Sequence, residues 1–194
     1  MHISDGVLSP EIIIPANIVA SVLSAYLIYR LNAKDIPKIS CMSAIFFVAS
    51  FIHVPLGPTS IHLILSGLVG AFLGINATIA ILIALFLQAL FFGYGGISVL
   101  GVNLLILALP AVLGRYFLNL SFKAYQKVCW FLAGFTPILL SALALSGVLV
   151  LNGREFLAVA GLALASNFAL MIIEGIISLF GIGFIFKVNK DLLR

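Results

Sequence analysis

The stretch FLAVAGLALASNFALMIIEGIISLFGIGFIF, Phe156 to Phe186, carries a single charged side chain, Glu174. It is longer than the ~20 apolar residues a helix needs to cross the hydrocarbon of a bilayer. In lipid every backbone N–H and C=O must be satisfied within the segment, so a run of this kind is helical. Six further apolar runs precede it, at about 12–31, 39–54, 61–74, 77–92, 97–114 and 128–150. Of the 194 residues 63% are hydrophobic and 8% charged. A soluble domain carries roughly a quarter charged residues, so that class is excluded. Continuous apolar runs, rather than ten-residue alternating segments, favour a helical bundle over a membrane β-barrel. The expected fold is an all-α membrane protein: a seven-helix transmembrane bundle forming one domain over residues 1–194, preceded by a short segment, 1–11, outside the spans.

Breaks and charges set the topology. Arg30, Lys34, Asp35, Pro37 and Lys38 make the first polar loop, and Val54-Pro55-Leu56-Gly57-Pro58 ends the second span. Thr59 and Ser60 offer hydroxyl N-caps for a third helix. Gly74-Ile75-Asn76, Gly93-Tyr94-Gly95-Gly96, the polar segment Arg115 to Lys127, and Leu151 to Glu155 separate the rest. With seven crossings Arg30, Lys34, Lys38, Arg115, Lys123, Lys127, Lys187, Lys190 and Arg194 share one side, leaving Arg154 alone opposite. The positive-inside rule then places the C-terminus in the cytoplasm and the N-terminus outside. The net charge of +4 is accounted for by this topology and by anionic lipid, without a nucleic-acid partner. The first residues lack a basic n-region and include Asp5 and Glu11, so they do not read as a signal peptide, and Met1 is expected to be the mature N-terminus. Cys41 and Cys129 form no CxxC pair and read as packing residues.

The opening Met1-His2 places the Met1 α-amine, the His2 amide and the His2 imidazole within chelating reach of one another. Fused chelate rings enforce a planar donor set, which suits Ni(II) or Cu(II) better than Zn(II). His2, His53 and His62 are the only histidines, and the topology puts all three on the outer face; His2 and His62 are the favoured ligands. Asp5 either accepts the spare N–H of a ligating imidazole or caps the turn at Gly6. His53, Ser60 and Asn103 are further candidates for supporting or entry positions, with His53 more readily a water-bonded interfacial side chain. Glu174 has no basic residue at its depth and is expected to be protonated or bonded to an amide such as Asn103, whereas Gln88 and Asn167 read as interhelical glue. Ala16, Ala20 and Ser24 form a small-residue stripe suited to packing within the bundle or to docking a partner helix. No GxxxxGK[ST] loop occurs, so the chain carries no recognisable means of using ATP. A stand-alone channel or secondary carrier would show polar residues along a pathway, and an intramembrane hydrolase, for which Ser60 and His62 are the nearest pair, lacks both a GxSxG and an HExxH motif.

Met1-His2-Ile3-Ser4-Asp5-Gly6-Val7-Leu8-Ser9-Pro10 resembles the MHIPDGFLSP opening of the CbiM/NikM proteins, the substrate-capture subunits of energy-coupling-factor transporters for cobalt and nickel. Gly57 to Leu63 resembles that family's GGTSGHL, Gln88 to Gly96 its QALLFGDGG, Leu100 to Asn103 its LGANI, and Glu174 to Ile177 its EGLIT. The resemblance implies seven helices with an outward N-terminus and four nitrogens in a near-plane: the Met1 amine, the His2 amide, and the imidazoles of His2 and His62. It implies Ni(II) or Co(II) as cargo and no organic cofactor. It also implies a transmembrane coupling subunit, two cytoplasmic ATPases and a small accessory membrane subunit as partners. Three positions depart from the family pattern: Ser4 replaces Pro, Tyr94 replaces Asp, and His53 replaces Asn. The first removes a fixed φ from the N-terminal turn.

Overall fold

The structure is a computed structural model that describes residues 2–56, 59–122 and 125–193; the side chains of residues 54–61 lie outside that description. Among the described residues the chain forms seven α-helices and one hairpin. These are α1 (Pro10–Tyr29), α2 (Ile36–Ala49), β1 (His53–Leu56), β2 (Thr59–His62), α3 (Ser66–Leu73), α4 (Ala77–Phe92), α5 (Leu100–Ser121), α6 (Gln126–Asn152) and α7 (Leu157–Val188). The predominantly helical membrane architecture expected from composition is present, with one short hairpin added. Five stretches are long and apolar enough to cross a membrane: Pro10–Tyr29, Ser66–Phe92, Leu100–Ser121, Gln126–Asn152 and Arg154–Val188. Helix α2, with 14 residues, falls short by itself.

Ser66–Phe92 is continuous in helical character but not in direction. Leu65 lies beside Val48 and Ile52, while Phe72 lies beside Lys38 and Met42 near the start of α2. Phe92 returns to Phe47 and Phe51, with ring centroids 5.9 and 4.9 Å away. The chain therefore descends through α3, reverses at Gly74, whose φ of +57° favours glycine, and climbs back through α4. The expected third helix over 61–74 is corrected: Thr59 and Ser60 enter a strand rather than capping a helix, and only Ser66–Leu73 is α-helical. The antiparallel register pairs His53 with His62 and Leu56 with Thr59. The polar loop expected from Arg115 is likewise shorter, because α5 continues to Ser121 and Arg115 donates from Nη1 to the carbonyls of Ala71 and Leu193.

The helices approach closely wherever small residues meet. A Cβ on Gly70 would strike the Ala111 carbonyl, one on Gly114 the Gly67 carbonyl, and one on Gly134 the Glu174 carbonyl. Phe46, Ile81, Leu104, Leu107, Ile138 and Met171 fill the centre. Ile3, Leu8, Val99, Ile106, Leu145 and Leu149 pack at the N-terminal end. Phe72, Leu118, Trp130, Ile182 and Leu193 pack at the other. The stripe Ala16, Ala20, Ser24 is turned inward: Ala20 and Ser24 are buried, Ala20 sits against Gly101, and Ala16 packs with Ile3 and Leu8. The face α1 leaves open carries Ile14, Ile18, Val22 and Tyr26. Cys129 packs as expected, but Cys41 is exposed.

Candidate metal centre

The N-terminal segment, normally the loosest part of a chain, is fastened at several points. Asn103 of α5 grips residue 3 from both sides: Ile3 N–H donates to its Oδ1 and its Nδ2 donates to the Ile3 carbonyl, each at 2.9 Å. Asn152 of α6 repeats the pattern, accepting from Ser9 N–H at 2.7 Å and donating to the Val7 carbonyl at 3.0 Å. Asp5 N–H donates to the Gly95 carbonyl at 2.8 Å, and Ser98 donates its hydroxyl proton to the Asp5 carboxylate. A Cβ at Gly96, where φ is +133°, would fall on that carboxylate, so the glycine turn after α4 admits the segment. Each amide clamp satisfies one donor and one acceptor of a backbone that would otherwise lie unpaired in an apolar setting.

These contacts deliver His2 to a cavity of about 420 Å³ lined by His2, His53, His62, Tyr94, Ser166 and Asn167 among others. The rings of His2 and His62 lie 5.3 Å apart between centroids, inclined by 12°. His53 stands 6.2 Å from His62 at 63°. It is exposed, and its Nδ1 donates to the Phe51 carbonyl at 3.0 Å. His62 Nδ1 donates to the Leu63 carbonyl at 3.1 Å. A carbonyl can only accept, so the neutral His62 ring carries its lone pair on Nε2.

Glu174 supports this strand from below. Its carboxylate is fully buried and accepts from the N–H groups of Ile64 and Leu65, at 2.6 to 2.9 Å. These groups precede α3, and Leu65 takes the left-handed conformation, with φ +58°. The carboxylate thus satisfies N–H groups at the start of α3 and holds the peptide that follows His62. The expected partner, Asn103, is occupied with Ile3. Of the two readings of Asp5, neither names its partner here: the carboxylate accepts from the Ser98 hydroxyl. Asn167 donates to the Ala163 carbonyl of its own helix at 2.6 Å rather than gluing two helices. The Met1 amine and the Ser60 side chain lie outside the described residues. The clamps by Asn152 and Gly95 escaped the sequence reading; the turn residues Gly93 to Gly96 were its one available signal.

Among the described residues no three His, Cys, Asp or Glu side chains converge in ligating geometry. Two imidazoles alone leave a divalent ion short of donors. Both rings are held neutral. Burial first, then neighbouring positive charge, pushes His62 down to about 4 from 6.5 and drives His2 well below 6.5. A metal arriving at neutral pH therefore displaces no proton from either ring.

That depression has a sign. Unfolded imidazoles take up protons below pH 6.5, while the folded His62 resists until about 4. Between those values the unfolded chain binds more protons, so the metal-free fold is fully stable above 6.5 and loses stability as pH falls toward 4. The thermal midpoint of metal-free protein is expected to drop across this window, and His62→Gln to make the decline shallower. An equally steep decline in the variant would contradict the assignment.

A family profile described as the cobalt uptake substrate-specific transmembrane region matches residues 2–192. A Haemophilus influenzae protein that carries the name of a metal transport protein is 36% identical over 200 residues, covering 100% of this chain and 97% of its own length. The fused nickel transport protein NikMN of Rhodobacter capsulatus is 36% identical over 115 residues, 56% of this chain and 33% of that longer protein. The solved structure of a truncated transition metal transporter superposes with a TM-score of 0.78 at 29% identity, covering 97% of this chain and 99% of that one.

Proposed function

Because the chain belongs to the CbiM family of cobalt-uptake transmembrane proteins, we propose that it captures a divalent transition-metal ion, nickel ahead of cobalt, at the outer face of a membrane and passes it to partner subunits. It is a multi-pass membrane protein of a metal-uptake family. The observation that carries the reading is the convergence of His2 and His62 in one cavity, with the segment behind His2 clamped at Ile3, Asp5, Val7 and Ser9. A free chain end would lose considerable entropy on chelating an ion; a fastened one has already lost it.

In this reading the Met1 amine, the His2 amide, one nitrogen of His2 and Nε2 of His62 ligate the ion. The amine, ordinarily protonated near neutral pH, and the His2 amide must each release a proton, so capture weakens as pH falls. Four nitrogens near one plane match Ni(II), and Ni(II) also stands above Co(II) in the affinity order. Neither Asp5 nor Glu174 faces the ion; Asp5 holds the glycine turn and Glu174 holds the His62 strand.

Seven passes with the N-terminus outside follow from counting α2 and the α3 arm as crossings, which the reversal at Gly74 supports. Leu193 and Arg115 then mark the cytoplasmic end. With no phosphate loop in the chain, release of the ion inward falls to a transmembrane coupling subunit and two ATPases, with a small accessory membrane subunit beside them. Two highly exposed positions test this: Leu151 at 80% and Tyr125 at 82%. With Cys41 and Cys129 replaced by Ser, Leu151→Cys is expected to react with an impermeant maleimide in intact cells and Tyr125→Cys is not. Nickel is expected to accumulate only when coupling and ATPase subunits are co-expressed. Reversed labelling would overturn the topology, and uptake by this chain alone would favour a self-contained carrier.

A further inference from the structure

Beside His2 lie polar atoms that the fold leaves unsatisfied. Nε2 of His2 is enclosed and has no hydrogen-bond partner among the described residues, and the same holds for both amide atoms of Gln88 on α4. Gln88 is fully buried. Its main-chain carbonyl accepts the Tyr94 N–H at 3.3 Å. The Tyr94–Gly95 turn that follows lines the same cavity as His2, with a Cβ on Gly95 falling 3.6 Å from the His2 Cβ. Yet no bond to the Gln88 side chain closes at the distances and angles a hydrogen bond requires. The amides of Asn103, Asn152 and Asn167, by contrast, are engaged: Asn103 with Ile3, Asn152 with Val7 and Ser9, Asn167 with Ala163. Each unsatisfied buried polar group costs ~1–3 kcal/mol. A leucine at this position would avoid that cost and lose nothing the metal-free structure uses.

The proposed chelate gives the amide a purpose. Only Nδ1, the ring nitrogen nearer the backbone, can close a small ring with an ion held by the His2 amide. Nε2 must then carry the proton, in a place closed to water. A ligating imidazole performs best when its other N–H is accepted by an oxygen that fixes the tautomer and the ring plane. Gln88 Oε1 is such an oxygen, and an amide, unlike a carboxylate, brings no extra charge into the apolar interior.

We propose that Gln88 is a positioning residue for the metal-bound state: its Oε1 accepts the Nε2 proton of His2 and so commits His2 to Nδ1 as the ligating atom. Gln88 does not touch the ion. The inference rests on the Met1–His2 chelate, and it predicts effects of opposite sign on fold and on binding. A purely structural glutamine would give losses in both.

The test uses the full chain in detergent with an unblocked N-terminus and nickel chloride as the probe. Wild type, Gln88→Leu and Gln88→Glu are compared by calorimetric titration, by thermal melting of the metal-free protein, and by the visible absorption of the nickel form. Gln88→Leu is expected to melt no lower than wild type when metal-free, to bind nickel roughly 10–100-fold more weakly, and to shift the absorption band. Gln88→Glu, which keeps an acceptor in place, is expected to restore affinity. Unchanged affinity and absorption in Gln88→Leu, with wild type binding tightly, would overturn the role of Gln88 alone. A loss of affinity accompanied by a lower metal-free melting point, without recovery in Gln88→Glu, would also overturn it. Failure of wild type to bind nickel would overturn the chelate and this inference together.

Discussion

Acetylating the Met1 amine, or adding one residue ahead of Met1, is expected to abolish high-affinity nickel binding while the helical fold is kept and its stability stays within about 0.5 kcal/mol of the unmodified protein. An acetylated nitrogen is an amide, whose lone pair is delocalised into the carbonyl, and it donates to a metal only after losing a proton it holds tightly. An added residue moves the amine away and breaks the fused ring system. The loss is therefore expected to exceed the roughly 10–100-fold that follows removal of an outer hydrogen-bond partner. The packing of Ile3 against Val99, Leu145 and Leu149 begins after the altered group, which is why the fold should not follow the affinity down. Calorimetric titration beside circular dichroism of the same samples checks both halves. Tight binding by a folded, acetylated chain would remove the amine from the site.

The histidines should separate in the same assay. His2→Ala removes a ring that closes the chelate, and His62→Ala removes the donor contributed from the hairpin; each is expected to reduce affinity by well over ~100-fold. His53→Ala is expected to stay within about tenfold, below the upper range for a supporting group. His53 is exposed and bonds the Phe51 carbonyl, 6.2 Å from His62 between ring centroids. A loss at His53 equal to that at His62 would move the centre toward the hairpin and away from the N-terminus.

The long apolar runs were legible because lipid imposes one rule on every backbone group. The expected span 77–92 coincides with α4, and the expected 128–150 and 156–186 differ from α6 and α7 by a few residues. The stretch from Val54 to Leu73 was not legible. Thr59, Ser60 and Ile61 fit either a helix N-terminus or a strand, and the choice is made by pairing with His53 to Leu56, a contact that no local pattern announces. The hairpin also makes His53 the neighbour of His62. Glu174 was correctly singled out as an ionisable group in a span, but its partners are backbone N–H groups of Ile64 and Leu65, and backbone donors leave no trace in a sequence. The same blindness applied to the Asn103 and Asn152 clamps, whose targets lie about a hundred residues or more away along the chain. Small residues left two readings open: Ala16, Ala20 and Ser24 advertise close approach equally for an internal and an external partner, and Ala20 packs inward against α5 at Gly101.

In the proposed site the N-terminus itself forms part of a planar set of nitrogens. The most direct test is the visible and magnetic character of the nickel-loaded protein, purified with an unblocked Met1 and without chelating tags. Nickel is expected to stay bound stoichiometrically through gel filtration, with a yellow colour and a diamagnetic ion, as a square plane of four nitrogens requires. A paramagnetic, octahedral nickel spectrum, or protein that elutes free of metal, would contradict it.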